Sequence, residues 1–142
     1  MENAGGNRSK VIIGVDDVRA NLALLDAALK SVGYTFIGAS SGLEALDVLN
    51  RVRPRLILLD VRMPDMDGFE TCRRIRLRDD LARVPIAFVT ACKTEADVRA
   101  CVAVGGNDFI VKPFTVAHLL DRATFWVNRA VRTEPAMAAA GR

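Results

Sequence analysis

Asp60 follows four consecutive large aliphatic residues, Leu56 to Leu59, and precedes a turn that contains Pro64 and ends on Asp67 and Gly68. An apolar run of that length between turn signals reads as a strand buried on both faces, which places Asp60 at its carboxyl end. Three other apolar runs end on polar groups in the same way: Asp16 and Asp17 after Lys10 to Val15, Thr90 after Pro85 to Val89, and Lys112 after Asn107 to Val111. Carboxylates gathered into one crevice repel one another, and a protein tolerates this only where something neutralises them. A divalent cation of the Mg2+ type, which takes oxygen ligands, suits that donor set. A carboxylate so held is also a nucleophile, with a lysine and a hydroxyl at hand to steady developing negative charge.

What must position these groups is an alternation of strands and helices. After the first strand, Leu22, Leu25, Leu29 and Val32 recur at helical spacing, and Gly33 is placed to end that helix before a strand from Tyr34 to Ala39. Ser41 and Glu44 form a capping-box pattern for a second helix with Leu46 and Leu49 on its buried side, broken at Arg53-Pro54. A third helix starts near Asp67-Gly68, buries Phe69, Cys72 and Ile75 and turns its arginines outward. Thr94 to Asp97 caps a fourth helix that carries Val98, Cys101 and Val102 and stops at Gly105-Gly106. Thr115 caps the last, whose core stripe is Val116, Leu119, Leu120, Ala123 and Val127.

Five strands alternating with five helices imply right-handed crossovers and a parallel sheet covered on both faces. The polar strand ends share one crevice only if the first, third, fourth and fifth strands are neighbours. The expected fold is therefore α/β, a doubly wound (βα)5 three-layer sandwich with sheet order 2-1-3-4-5.

The chain has 142 residues, 51% hydrophobic and 26% charged, with a net charge of +3. That is one globular domain, expected over 10–132, with a disordered segment at 1–9 and a flexible tail at 133–142. No apolar run approaches a membrane span, and Met1 to Lys10 has no apolar secretory core, so a soluble cytoplasmic protein is expected. Cys72, Cys92 and Cys101 lack metal-ligand spacing and read as small buried hydrophobes. The cluster Arg73, Arg74, Arg76, Arg78 and Arg83 is interrupted by apolar residues and followed by Asp79 and Asp80, which reads as a solvated helix face rather than a nucleic-acid patch.

Taken together, Asp16-Asp17, Asp60 with its Met-Pro-Asp-Met-Asp-Gly continuation, Thr90, and Phe109-x-x-Lys112-Pro113-Phe114 resemble the receiver domain of bacterial response regulators, over roughly Lys10 to Arg132. The resemblance implies a flavodoxin-like fold and a signalling protein of two-component systems rather than a metabolic enzyme. Asp60 would accept a phosphoryl group from a sensor histidine kinase or a histidine phosphotransfer protein. Asp17, Asp60 and the backbone carbonyl of Arg62 would ligate Mg2+ or Mn2+, with Asp16 acting through a water. Lys112, the Thr90 hydroxyl and the backbone N–H of Ala91 would bind the phosphoryl oxygens. Thr90 and Phe109 would form the switch, with Phe in place of the family's commoner Tyr, and a cis bond is expected between Lys112 and Pro113. Arg62 and Cys92 occupy positions that in this family tune hydrolysis.

On the last helix, Phe125 falls opposite the core stripe beside His118, Arg122 and Arg129 and marks a partner surface, with Trp126 flanking the core side. A downstream target or a homodimer through the fourth and fifth helices would use that side. The expected protein is a stand-alone receiver; a module of a larger regulator or hybrid kinase, or a phosphorylation-independent scaffold, are the alternatives. A phosphatase of the haloacid-dehalogenase type requires a second Asp two positions after the nucleophile, where this chain has Arg62. Gly38 to Gly42 lacks the lysine of a nucleotide-binding phosphate loop, and no helix-turn-helix segment follows Arg132, so DNA binding of its own is not expected.

Overall fold

The computed structural model describes residues 10–132. The disordered segment expected at 1–9 and the tail expected at 133–142 lie outside the described residues. Five strands, β1 (Val11–Val15), β2 (Thr35–Ala39), β3 (Leu56–Leu59), β4 (Ile86–Thr90) and β5 (Asp108–Val111), alternate with α1 (Arg19–Lys30), α2 (Gly42–Val48), α3 (Gly68–Arg76), α4 (Glu95–Ala103) and α5 (Val116–Arg132). All strand pairs are parallel and the sheet order is 2-1-3-4-5. Every residue of β3 and β4 is buried, as strands sandwiched between two helical layers must be.

Alternation along the strands divides the core in two. Ile13, Val15, Ile57, Leu59 and Phe88 pack with Cys72, Ile75 and Cys101 beneath α2, α3 and α4. Ile12, Leu56, Leu58, Val89 and Ile110 pack with Leu25, Leu29, Leu119 and Ala123 beneath α1 and α5. Among the described residues no helix is long and apolar enough to cross a membrane.

Local chemistry starts and stops the helices. Ser41 Oγ accepts from Glu44 N–H at 3.0 Å, but the Glu44 carboxylate reaches back to Ser40, taking its N–H at 2.6 Å and its hydroxyl at 2.8 Å, one residue earlier than a capping box requires. Thr94 and Asp97 form the reciprocal box in full. Thr115 Oγ1 accepts from His118 N–H at 3.0 Å. Gly33 takes φ 94°, a left-handed conformation that lets the chain leave α1 and enter β2.

Four expectations about side-chain direction need correction. Val32 lies beyond the end of α1 and is 49% exposed. Val98 and Val102 are exposed, since α4 covers the β5 edge of the sheet and its one buried residue is Cys101. Val116, at the first position of α5, is also exposed. The arginines of α3 do not all face water. Arg73 and Arg74 do, paired with Glu70 at 2.7 and 2.9 Å, whereas the Arg76 guanidinium turns inward. It donates to the carbonyls of Gly105 (2.9 and 3.0 Å), Leu81 (3.0 Å) and Val84 (2.8 Å) and to Asn107 Oδ1 (2.8 Å).

The Gly105 and Val84 carbonyls lie in turns, and Leu81 O also accepts from Val84 N–H at 3.3 Å, so one half-buried cation serves several main-chain acceptors at once. Burial pushes the Arg76 pKa down, an effect too small to discharge a guanidinium. Arg76→Ala should therefore cost about 1–3 kcal/mol in urea unfolding, since it leaves part-buried carbonyls at Gly105 and Val84 without this donor. Arg73→Ala, which loses only an exposed pair, should leave the midpoint nearly unmoved; equal effects would contradict this division.

Candidate functional site

β1, β3, β4 and β5 end at one edge of the sheet. Val15 pairs with Leu59, so Asp16 and Asp60 leave adjacent strands side by side, and Thr90 pairs with Val111, so Lys112 emerges next to it. Asp16 and Asp60 are 2% and 7% exposed, while Asp17 faces solvent. One carboxylate oxygen from each lies within 4.8 Å of the other two. Such an all-oxygen set suits a hard divalent cation, so the residues present fit a Mg2+-type ion.

The Lys112 ammonium bridges the two buried carboxylates, at 2.8 Å from Asp16 Oδ2 and 3.5 Å from Asp60 Oδ2. Asp16 also accepts from Val18 N–H at 2.9 Å and from the Asn21 side-chain amide at 3.0 Å. Thr90 is buried, and its side-chain oxygen accepts from Cys92 N–H at 3.3 Å. Burial pushes the Asp60 carboxyl above the usual range, Lys112 pulls it back down, and the charge on Asp16 adds to the rise.

The remaining residues singled out from the sequence lie around this cluster. Arg62 is exposed, and its Nε donates to Cys92 Sγ at 3.2 Å, joining the loops after β3 and β4. Ala91 lies on the β4 loop and lines a 390 Å3 cavity that opens between α1 and the turn at Pro113, walled by Leu24, Leu25, Val89 and Phe114. The Lys112–Pro113 peptide is cis. Phe109 is half-buried against the core beneath α2 to α4. Phe125 is 41% exposed, with the Arg122 and Arg129 guanidinium carbons 4.7 and 5.3 Å from its ring centre.

Sequence reasoning missed three supports of the site. Asn21 gave no signal beyond being an amide in the first turn after Asp16. Gly68 is required because a Cβ there would collide with the main-chain carbonyl of Asp60; its N–H donates to Val61 O at 2.7 Å, bringing α3 directly beneath the loop that carries Asp60. Asp108, next to Phe109, accepts from Arg122 Nε at 2.8 Å and from Trp126 Nε1 at 2.7 Å, tying β5 to the face of α5 that bears Phe125.

A sequence profile described as the response regulator receiver domain matches residues 12–124. The probable transcriptional regulator ycf27 of Porphyra purpurea is 36% identical over 124 residues, which cover 87% of this chain and 50% of that one. The response regulator MprA of Mycobacterium sp. (strain KMS) is 39% identical over 118 residues, 83% of this chain and 50% of that one. The chain thus spans about half the length of the curated relatives it matches. Among solved structures, chemotaxis protein CheY4 of Vibrio cholerae superimposes with a TM-score of 0.79 at 30% identity, covering 81% of this chain and 96% of that one. The receiver domain of sensor histidine kinase PA1611 from Pseudomonas aeruginosa PAO1, which has a magnesium ion coordinated in its active-site cleft, gives 0.78 at 34% identity, covering 84% and 98%. The arrangement of carboxylates, hydroxyl and lysine at the strand ends thus sits in the matched segment, and the chain belongs to the response regulator receiver domain family.

Proposed function

We propose that Asp60 is a phosphoryl acceptor served by a phosphohistidine on a sensor histidine kinase or phosphotransfer protein. The observation that carries this reading is Lys112, whose ammonium sits between Asp16 and Asp60 beside the buried Thr90 hydroxyl. An Asp60 oxygen attacks phosphorus, the phosphorus–nitrogen bond breaks, and the imidazole leaves with its electron pair and takes a proton. Lys112 turns from the carboxylates to the transferred oxygens, where the Thr90 hydroxyl and the Ala91 N–H also donate. Asp17, Asp60 and the Arg62 carbonyl would hold Mg2+ or Mn2+, with Asp16 acting through a water, and the ion would supply positive charge to the phosphoryl oxygens.

Once Thr90 is engaged, Phe109 has room to move inward, and the population shifts toward an active state already present in the unmodified protein. Asp108 carries that shift to Arg122, Trp126 and the Phe125 surface, which would dock a downstream target or a second copy. On this reading residues 10–132 form a receiver unit that passes its state to a docked partner. The half-length match to curated relatives favours a second reading, a receiver module of a longer regulator.

Incubation with acetyl phosphate and Mg2+ should label wild type and leave Asp60→Ala unlabelled, with chelator abolishing the label. Equal labelling of the variant would remove Asp60 from the role. Arg62, fixed by Cys92, shields the acceptor from water on this reading, so Arg62→Asn should lose its label several-fold faster. A variant that loses it no faster contradicts the shielding.

The raised pKa of Asp60 also has a sign that can be checked. A carboxyl whose folded pKa lies above its unfolded value lowers stability once the pH rises through the folded pKa, and the loss is absent below the unfolded pKa. Asp60→Asn should therefore melt above wild type at pH 7 in chelator, the gap closing as the pH falls through about 3.9, the unfolded Asp value. A wild type that melts at or above the variant at pH 7 overturns this.

A further inference from the structure

We propose that Asn21 is a positioning residue of the cation site, the donor that holds the Asp16 carboxylate in place when Lys112 leaves it. The inference rests on the reading of Asp16, Asp17 and Asp60 as that site.

An ionised carboxylate only accepts hydrogen bonds, and its two oxygens offer about four lone-pair positions between them. In Asp16, Oδ1 takes the Val18 N–H at 2.9 Å, and Oδ2 takes both the Asn21 amide at 3.0 Å and the Lys112 ammonium at 2.8 Å. Oδ2 is therefore filled, and one position on Oδ1 remains for a cation or its water. The direction of that position is set by the donors that fix the carboxylate plane.

Those donors differ in permanence. Lys112 is shared with Asp60 at 3.5 Å and, on the proposed mechanism, moves to the phosphoryl oxygens. Asn21 belongs to α1, which is anchored by the buried side chains of Leu25, Ala28 and Leu29, so its amide stays where the helix puts it. Because Asp16 can only accept, the nitrogen of the amide must face it, and that orientation is set by chemistry alone. Without Asn21, Oδ2 would have Lys112 as its one side-chain donor, and Lys112 would be both the carboxylate's anchor and the group required elsewhere. Asn21 separates the two tasks.

The test is calorimetric titration of Mg2+ alone into chelator-treated wild type, Asn21→Leu, Asn21→Ala, Asn21→Gln and Asp60→Asn, with thermal midpoints measured before metal is added. Outer supports of a metal site are worth about 10–100-fold in affinity, so Asn21→Leu and Asn21→Ala should bind Mg2+ about tenfold more weakly than wild type. Asn21→Gln, which restores the amide on a longer arm, should recover most of the loss. Asn21→Ala keeps the test open should Leu disturb the helix. Wild-type affinity in Asn21→Leu and Asn21→Ala, alongside weakened binding in Asp60→Asn, would overturn the role of Asn21 and leave the site standing. Wild-type affinity in Asp60→Asn, or no Mg2+ uptake by wild type, would overturn the site itself and the inference with it.

Discussion

The structure turns on one lysine shared between two buried carboxylates. Lys112 approaches Asp16 at 2.8 Å and Asp60 at 3.5 Å, and neither carboxylate has appreciable contact with water. Removing charge from water is costly, and close like charges make it costlier; the lysine offsets part of both. Burial and Asp16 still leave the Asp60 carboxyl with a raised pKa. The site is therefore held in an arrangement that further positive charge at the crevice would relieve.

That constraint reaches through the fold. The acids leave β1 and β3 and the lysine leaves β5, so the sheet must bring three strands, distant in sequence, to a common edge. Parallel pairing with right-handed crossovers does this, and the two apolar clusters on either face supply the burial that offsets the cost of the charged edge. The glycine that opens α3 lets that helix start directly beneath the Asp60 carbonyl. On the other side of the sheet, Asn21 and Val18 bring the start of α1 onto Asp16.

Much of this was legible in the sequence, because strands buried on both faces appear as short apolar runs and any charge at their ends stands out. Asp16, Asp60, Thr90 and Lys112 were visible on those grounds, and so was the strand order that unites them. Arg76 was not, although it shares a helical face with Cys72 and Ile75; a run of arginines hides the one that turns inward, and its acceptors are main-chain carbonyls at Leu81, Val84 and Gly105 that carry no side-chain signal. Val98 and Val102 repeat at helical spacing, yet a helix lying over a sheet edge buries a narrower stripe than one over its centre. Asn21, Gly68 and Asp108 act through single tertiary contacts, and no periodicity announces those.

The most direct test of the shared-lysine site is to locate the phosphoryl group itself. After phosphorylation in the presence of Mg2+, borohydride reduction converts an aspartyl phosphate to homoserine, and peptide mass spectrometry assigns the converted residue. Conversion confined to Asp60, and lost when Lys112 is changed to Met, is the predicted result. Conversion at another aspartate, or undiminished conversion at Asp60 in the Lys112→Met protein, would contradict it.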